Sequence, residues 1–202
     1  MRGYIRGKIR TDPAYEAVAK LLLERPTPVL DLGCGLGLLS LYLRERGFEA
    51  PIFGIDTAAD KIARAQAAAE SFEGLTFAVG SAAVPPSVAD TTLALDILHY
   101  FDDEAQLALL ERLAGEMPPG GRVIIRNAPR QRSWRYALTF LEEIWVRVSR
   151  WIIASDRINF PSIEEVVAPF EAVGCSTQVE PLWGRTPFNS HLFVFTKPSR
   201  ES

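Results

Sequence analysis

The residues with the clearest capacity for chemistry lie in "VLDLGCGLG", Val29 to Gly37. Gly33, Gly35 and Gly37 stand at every second position, between an apolar run and a leucine-rich segment. Glycine at this density weakens a helix or strand interior, so a tight turn or a ligand must require a bare backbone here. Asp56 closes the next apolar run, 19 residues beyond Gly37. That spacing suits a carboxylate that accepts hydrogen bonds from both hydroxyls of a ribose. A dinucleotide fingerprint reads G-x-G-x-x-G/A, whereas this segment reads G-x-G-x-G and places Leu38 where the last small residue belongs. The Gly-Lys-Ser/Thr of a phosphate-binding loop is absent from the sequence. Asp31, just before the glycines, would repel a phosphate and welcome a cationic ammonium. The combination points away from a pyrophosphate and toward an adenosine ligand that carries an ammonium group.

The elements that must hold these residues alternate between strand and helix. A helix is predicted over about 12–24, with Asp12 as N-cap and Pro13 at its first position. Strands are predicted at 27–32, 51–56, 75–80, 91–95 and 122–127. Helical segments separate them, at 37–46, in the alanine-rich "AADKIARAQAAAESF", and in "DDEAQLALLERLAGEM" with its leucines at helical spacing. A long aromatic helix is predicted over 132–153, and a shorter one over 162–173 opens with the capping-box pair Ser162 and Glu165. "CSTQVEPLW" and "HLFVFTK" read as two further strands, joined too tightly for a crossover helix. The expected fold is α/β: a Rossmann-like, doubly wound seven-stranded sheet, mostly parallel, with an antiparallel C-terminal hairpin strand. Residues 1–202 read as a single domain, with a helical insertion at about 131–160.

Composition narrows the function classes. A net charge of −3 argues against a nucleic-acid binder that works by bulk electrostatics. Arg2, Arg6, Lys8 and Arg10 make the first ten residues basic, which suits a solvated arm or contact with an acidic partner. Cys34 and Cys175 are the only cysteines, too few for a four-thiolate zinc site. No carboxylate cluster points to a metal. The N-terminus lacks the apolar core of a signal peptide, and no stretch reaches the roughly 18 uncharged apolar residues that span a bilayer. A cytoplasmic location is expected.

"VLDLGCGLG", with "GID" one strand later, resembles the first motifs of the class I S-adenosylmethionine-dependent methyltransferases. The resemblance implies S-adenosylmethionine as cofactor. It puts Asp31 and Gly33 beside the methionine part and lets Gly35 and Gly37, with Cys34 among them, shape the loop. It assigns Asp56 to the ribose hydroxyls, with Thr57 next to it, and Gly80 and Ser81 to the adenine. Many members carry an acid where Ser81 stands, so adenine contact there would be weaker or through the backbone. Leu95 to His99 fall at the methyl-donating end, and "LDILHYF" is similar to the corresponding motif of the ubiquinone and menaquinone methylase group. "RGKIRTDPAY", "SWRYALTF", "INFPS" and "LWGRTPFN" look like small bacterial methyltransferases found with aryl-polyene biosynthesis genes. That narrower resemblance implies a phenolic aryl-polyene precursor, carried in one reading on an acyl carrier protein.

A phenolic or activated-carbon acceptor needs a base, and His99 is the candidate, its ordinary pKa lying near neutrality. The alternative is a histidine that caps a helix or fixes a loop. Asp96 would hydrogen-bond backbone or cofactor. His191 reads as structural, and Cys34 as a small residue that fits a tight turn. Trp134, Ala137, Leu141, Trp145, Val148 and Trp151 form one apolar stripe at helical spacing, expected to face the core. Tyr136 and Phe140 add apolar surface beyond it, bordered by Arg130, Arg132, Arg135, Arg147 and Arg150. The surplus reads as a lid or substrate wall, as a dimer face, or as docking to a membrane or carrier protein. Tyr4, Trp134, Tyr136 and Arg185 are the expected substrate contacts, and a small molecule the expected partner. A non-catalytic module that binds the same cofactor is the competing reading. A nicotinamide-dependent oxidoreductase is disfavoured by Leu38.

Overall fold

Short apolar runs become seven strands: β1 (Val29–Leu32), β2 (Ile52–Asp56), β3 (Leu75–Val79), β4 (Thr91–Leu95), β5 (Arg122–Asn127), β6 (Ser176–Pro181) and β7 (His191–Thr196). They form one sheet in the order β3-β2-β1-β4-β5-β7-β6. β1 through β5 pair in parallel, while β7 runs antiparallel to both β5 and β6. The seven-stranded, mostly parallel sheet with an antiparallel strand from the C-terminal hairpin is therefore as expected. The computed structural model describes residues 12–148, 159–183 and 187–199. Tyr4, the basic N-terminal segment, Arg150, Trp151 and Arg185 lie outside the described residues.

Helices cover both faces, and strand alternation decides which residue meets which layer. On one face, α1 (Pro13–Glu24), α2 (Leu38–Glu45) and α3 (Ala59–Ala69) bury Val18, Leu22, Leu43 and Ile62 against Val29, Ile52, Leu93 and Ile124. On the other, α4 (Asp103–Glu116) and α6 (Ile163–Ala172) bury Leu110, Leu113, Val166 and Phe170 against Leu30, Leu32, Val123, Ile125 and Phe193. α5 (Trp134–Val148) follows β5. The local signals for the helix starts hold. Asp12 accepts from the Ala14 amide at 3.0 Å, with Pro13 in the first position of α1. Ser162 and Glu165 form the reciprocal capping box that opens α6.

The aromatic helix departs from expectation in orientation. Its residues beyond Val148 fall outside the described residues, and Trp134, Ala137, Leu141 and Trp145 of the expected core-facing stripe face outward. Trp134 is 65% exposed, Leu141 61% and Trp145 71%. Tyr136, Thr139 and Glu143 are the residues on the half-buried side. Periodicity fixed the stripe but not the side that packs. The inner side meets polar groups, the Asn189 amide and His99, so Thr139 and Glu143 turn inward to serve them.

Candidate functional site

The carboxyl ends of β1, β2, β4 and β5 define the site, which is where ligands bind in open α/β sheets. A cleft there is lined by Asp12, Tyr15, Asp31, Gly33, Cys34, Leu39, Leu95, Asp96 and Arg126, with Ala14 at its edge. Asp31 comes from β1, Arg126 from β5 and Tyr15 from α1. They share a face because Asp31 alternates with Val29, and Arg126 with Ile124, in the layer under α1.

The glycine loop is explained mostly by its own packing. A Cβ on Gly33 would stand 2.4 Å from Ile97 Cγ2, and one on Gly37 would stand 2.5 Å from the Phe77 ring. Both residues also lie at positive φ, which side chains rarely adopt. Only Gly35 would project its Cβ into open space. The loop amides are occupied by the fold itself. The Gly33 and Cys34 amides donate to the Ile55 carbonyl at 2.8 and 3.0 Å, the Gly37 amide donates to the Cys34 carbonyl at 2.9 Å, and the Gly35 amide donates to Asp56 Oδ2 at 2.9 Å. These donors are consumed within the fold, so the loop is not an anion cradle.

Asp56 thus has a task that its spacing alone did not reveal. Its two carboxylate oxygens hold the Gly35 amide and the Ala58 amide, the latter also at 2.9 Å. A carboxylate has about four lone-pair sites, so two remain for a diol. Thr57 and Ser81 are exposed and Gly80 is half-buried along the adjoining edge of β2 and β3. The Ser81 hydroxyl accepts from the Ala83 amide at 3.2 Å.

Electrostatics divide the cleft. Asp31 is 4% exposed, and burial, reinforced by the nearby Asp56 charge and opposed by the Ser40 hydroxyl, pushes its carboxyl up to about 7. Arg126 Nη1 lies 2.7 Å from Asp12 Oδ2 and 3.1 Å from Asp96 Oδ2, and Nε donates to Ser190 Oγ at 2.9 Å. Burial disfavours the charge on Arg126, but Asp96 and Asp12 outweigh it and hold the guanidinium firmly protonated. Asp96 has φ 57, the only positive φ at a non-glycine among the described residues, and its amide donates to the Arg126 carbonyl at 2.9 Å. Asp12 and Asp96 pair with the one guanidinium, and Asp31 lines the same cleft as a further acid, so the cleft suits a cationic ligand. Cys34 carries a thiol that burial pushes well up, followed by the Asp31 and Asp56 charges, so it is no nucleophile.

His99 lies beyond the cleft lining, on a short 3-10 turn (Leu98–Tyr100). It is buried against Phe160, with ring centroids 5.0 Å apart, and its Nε2 is 3.7 Å from Glu143 Oε1. Tyr136 meets Phe160 edge-on at 5.9 Å. The structure therefore brings Tyr136, Phe160, Glu143 and His99 together under α5. Trp134 sits apart on the outer face, where the Arg135 guanidinium lies 4.8 Å from both the Trp134 and the Trp183 rings. His191 is buried, and burial pushes its imidazole down. Sequence reasoning read Asp12 only as a cap and missed Tyr15 and Arg126. The signal for Arg126 was a charged residue inside "RVIIRN", at a position that alternates with buried Ile124. Among the described residues, no group of histidines, cysteines and acids could hold a metal ion, and no helix is long and apolar enough to cross a membrane.

The family profile described as a methyltransferase domain matches residues 1–178. The chain is 34% identical over 119 residues to a trans-aconitate 2-methyltransferase of Methylobacterium radiotolerans, covering 58% of this chain and 44% of that protein. It is 30% identical over 174 residues to the protein of the same name in Methylobacterium nodulans, covering 84% of this chain and 66% of that one. The chain thus spans about half to two thirds of the length of these curated relatives. The crystal structure of magnesium protoporphyrin IX methyltransferase from Synechocystis PCC 6803, with bound S-adenosylhomocysteine, shares the fold at TM-score 0.71 and 22% identity, covering 92% of this chain and 83% of that one.

Proposed function

The chain belongs to the class I S-adenosylmethionine-dependent methyltransferases, and on that premise we propose that it moves the cofactor's methyl group to a small aromatic or apolar acceptor. The observation that carries this reading is the acid excess of the cleft, where Asp12, Asp31 and Asp96 face Arg126. The buried Asp31 fits the ammonium of the cofactor. The two free lone-pair sites of Asp56 fit its ribose, and the rim at Thr57, Gly80 and Ser81 fits its adenine. Gly35 leaves open space beside them. Loop amides that are already spent would not serve the pyrophosphate of a nicotinamide cofactor, which weighs against an oxidoreductase.

The bound cofactor supplies a methyl group already activated on a sulfonium. The chain must then orient the acceptor, exclude water and accept a proton. His99 is the base in this reading, with Glu143 beside its Nε2 to hold the ring and balance its charge. Tyr136 and Phe160 form aromatic walls for the acceptor. Tyr4 and Arg185 are proposed as further contacts from the segments that flank the same end. The reaction in this reading is phenolic O-methylation or activated C-methylation, by a single domain working in the cytoplasm. A carrier-bound aryl-polyene precursor is the acceptor that the sequence resemblance favours. Trans-aconitate is the second reading, favoured by the names of the curated relatives.

The test is transfer of a labelled methyl group from S-adenosylmethionine to trans-aconitate and to a panel of free and carrier-bound phenols. Turnover on phenols, lost in His99→Ala with S-adenosylhomocysteine binding retained, supports the reading. Turnover on trans-aconitate alone would replace the acceptor class. Cofactor binding without turnover on any acceptor would favour a non-catalytic module.

A further inference from the structure

At the carboxyl end of β5, Asn127 is fully buried, and neither end of its side-chain amide has a hydrogen-bond partner. Buried amides are nearly always paired, and a buried polar group without a partner is costly. Its neighbours follow the rule. Gln131 donates to Asn189 Oδ1, Asn189 Nδ2 donates to the Pro129 carbonyl at 2.8 Å, and the Asn189 amide donates to Thr139 Oγ1 at 2.9 Å. A fold that satisfies every one of these groups leaves Asn127 unsatisfied.

Its position suggests why. Asn127 follows Arg126, whose side chain lines the cleft, and by alternation it faces the other layer with Ile125. Its register partner His191 faces the same way. Above this end runs α5, which turns Thr139 and Glu143 inward over the Asn189 amide and His99.

We propose that Asn127 is a specificity-determining residue that hydrogen-bonds a hydroxyl or carbonyl of an uncharged, ring-bearing acceptor. The proposal rests on the reading of the chain as a methyltransferase. A carboxamide can donate to a hydroxyl or carbonyl oxygen and can also accept from a hydroxyl, so a hydroxyl matches both its ends and a carbonyl one. Polycarboxylates are recognised by free guanidinium forks, and Arg126 in the cleft is already held by Asp12 and Asp96. The rings of Tyr136, Phe160 and His99 pack together under α5 at this edge of the sheet, and a ring-bearing acceptor would join them.

The experiment uses the full chain, 15N-labelled and saturated with S-adenosylhomocysteine, titrated with phenol and with toluene, which differ only in the hydroxyl. The wild type is expected to bind phenol and to shift the Asn127 side-chain amide resonance. Asn127→Leu should melt at a higher temperature, bind phenol about tenfold more weakly and bind toluene within about twofold of the wild type. Asn127→Ala should show the same loss for phenol if the leucine does not fit. Phenol affinity unchanged in both variants, no phenol binding by the wild type, or a lower melting temperature in Asn127→Leu with phenol affinity retained would overturn the proposal. Failure of S-adenosylhomocysteine to bind would instead overturn the methyltransferase reading on which it rests.

Discussion

The two halves of the carboxyl edge are built on opposite plans. On the β1–β2 side the polar groups serve one another: Asp56 binds the Gly35 and Ala58 amides, Ile55 takes two loop amides, and the loop closes around Phe77 and Ile97. On the β5–α5 side Asn127 lacks partners, and a helix presents polar residues inward and tryptophans outward. In the first half the loop amides are spent within the fold before a ligand arrives. The second is left unfinished where an acceptor would complete it. In the proposed reading the first half takes the cofactor and the second the acceptor, so generality and specificity reside in different halves of the edge.

The sharpest way to break this contrast is Asp31→Asn. It keeps the shape and removes the buried charge, so S-adenosylhomocysteine affinity should fall about 100-fold by calorimetry. The free protein should melt no lower, because ionising Asp31 costs the free protein energy. Next is Gly37→Ala, whose Cβ meets the Phe77 ring at positive φ. It should lose about 2–3 kcal/mol in denaturant unfolding. Gly35→Ala, in open space, should lose only about 1 kcal/mol while still weakening the cofactor. Equal losses at the two glycines would remove the packing explanation of the loop.

The pH dependence sharpens the same point. Burial raises the Asp31 carboxyl from 3.8 to about 7. Its protonated form therefore stabilises the free protein fully below about pH 3.8 and loses that contribution as the pH rises through about 7. A bound ammonium reverses the preference, so affinity should rise over this range and fall about tenfold from pH 8 to pH 6. A flat profile would separate Asp31 from the ligand's cation. The smallest effect is expected at the outer face of α5. Trp145→Ser should change stability by less than about 0.5 kcal/mol, since the side chain packs on little. A large loss would show that this face is covered in solution.

How much of this was legible in the sequence followed the range of the interactions. Strand count, the capping residues of α1 and α6, and the acid-glycine motif are local, and each was read from a few neighbouring residues. The reasons for the motif were not local. Phe77, far along the chain, makes Gly37 obligatory. Arg126 reaches Asp12 across 114 residues. In α5 the apolar period was plain, but burial follows the partner that a side meets, and the inner partners are Asn189 and His99. Asn127 left no signal in the sequence at all, because its meaning lies in the hydrogen bonds it does not make.

In the proposed reading the β1–β2 cleft holds an adenosine ligand through a cation and not through a phosphate. Parallel calorimetric titrations of the intact chain with S-adenosylhomocysteine and NADH test it most directly. Saturable binding of S-adenosylhomocysteine, one per chain, and none of NADH is expected. Saturable NADH binding without S-adenosylhomocysteine binding would contradict it.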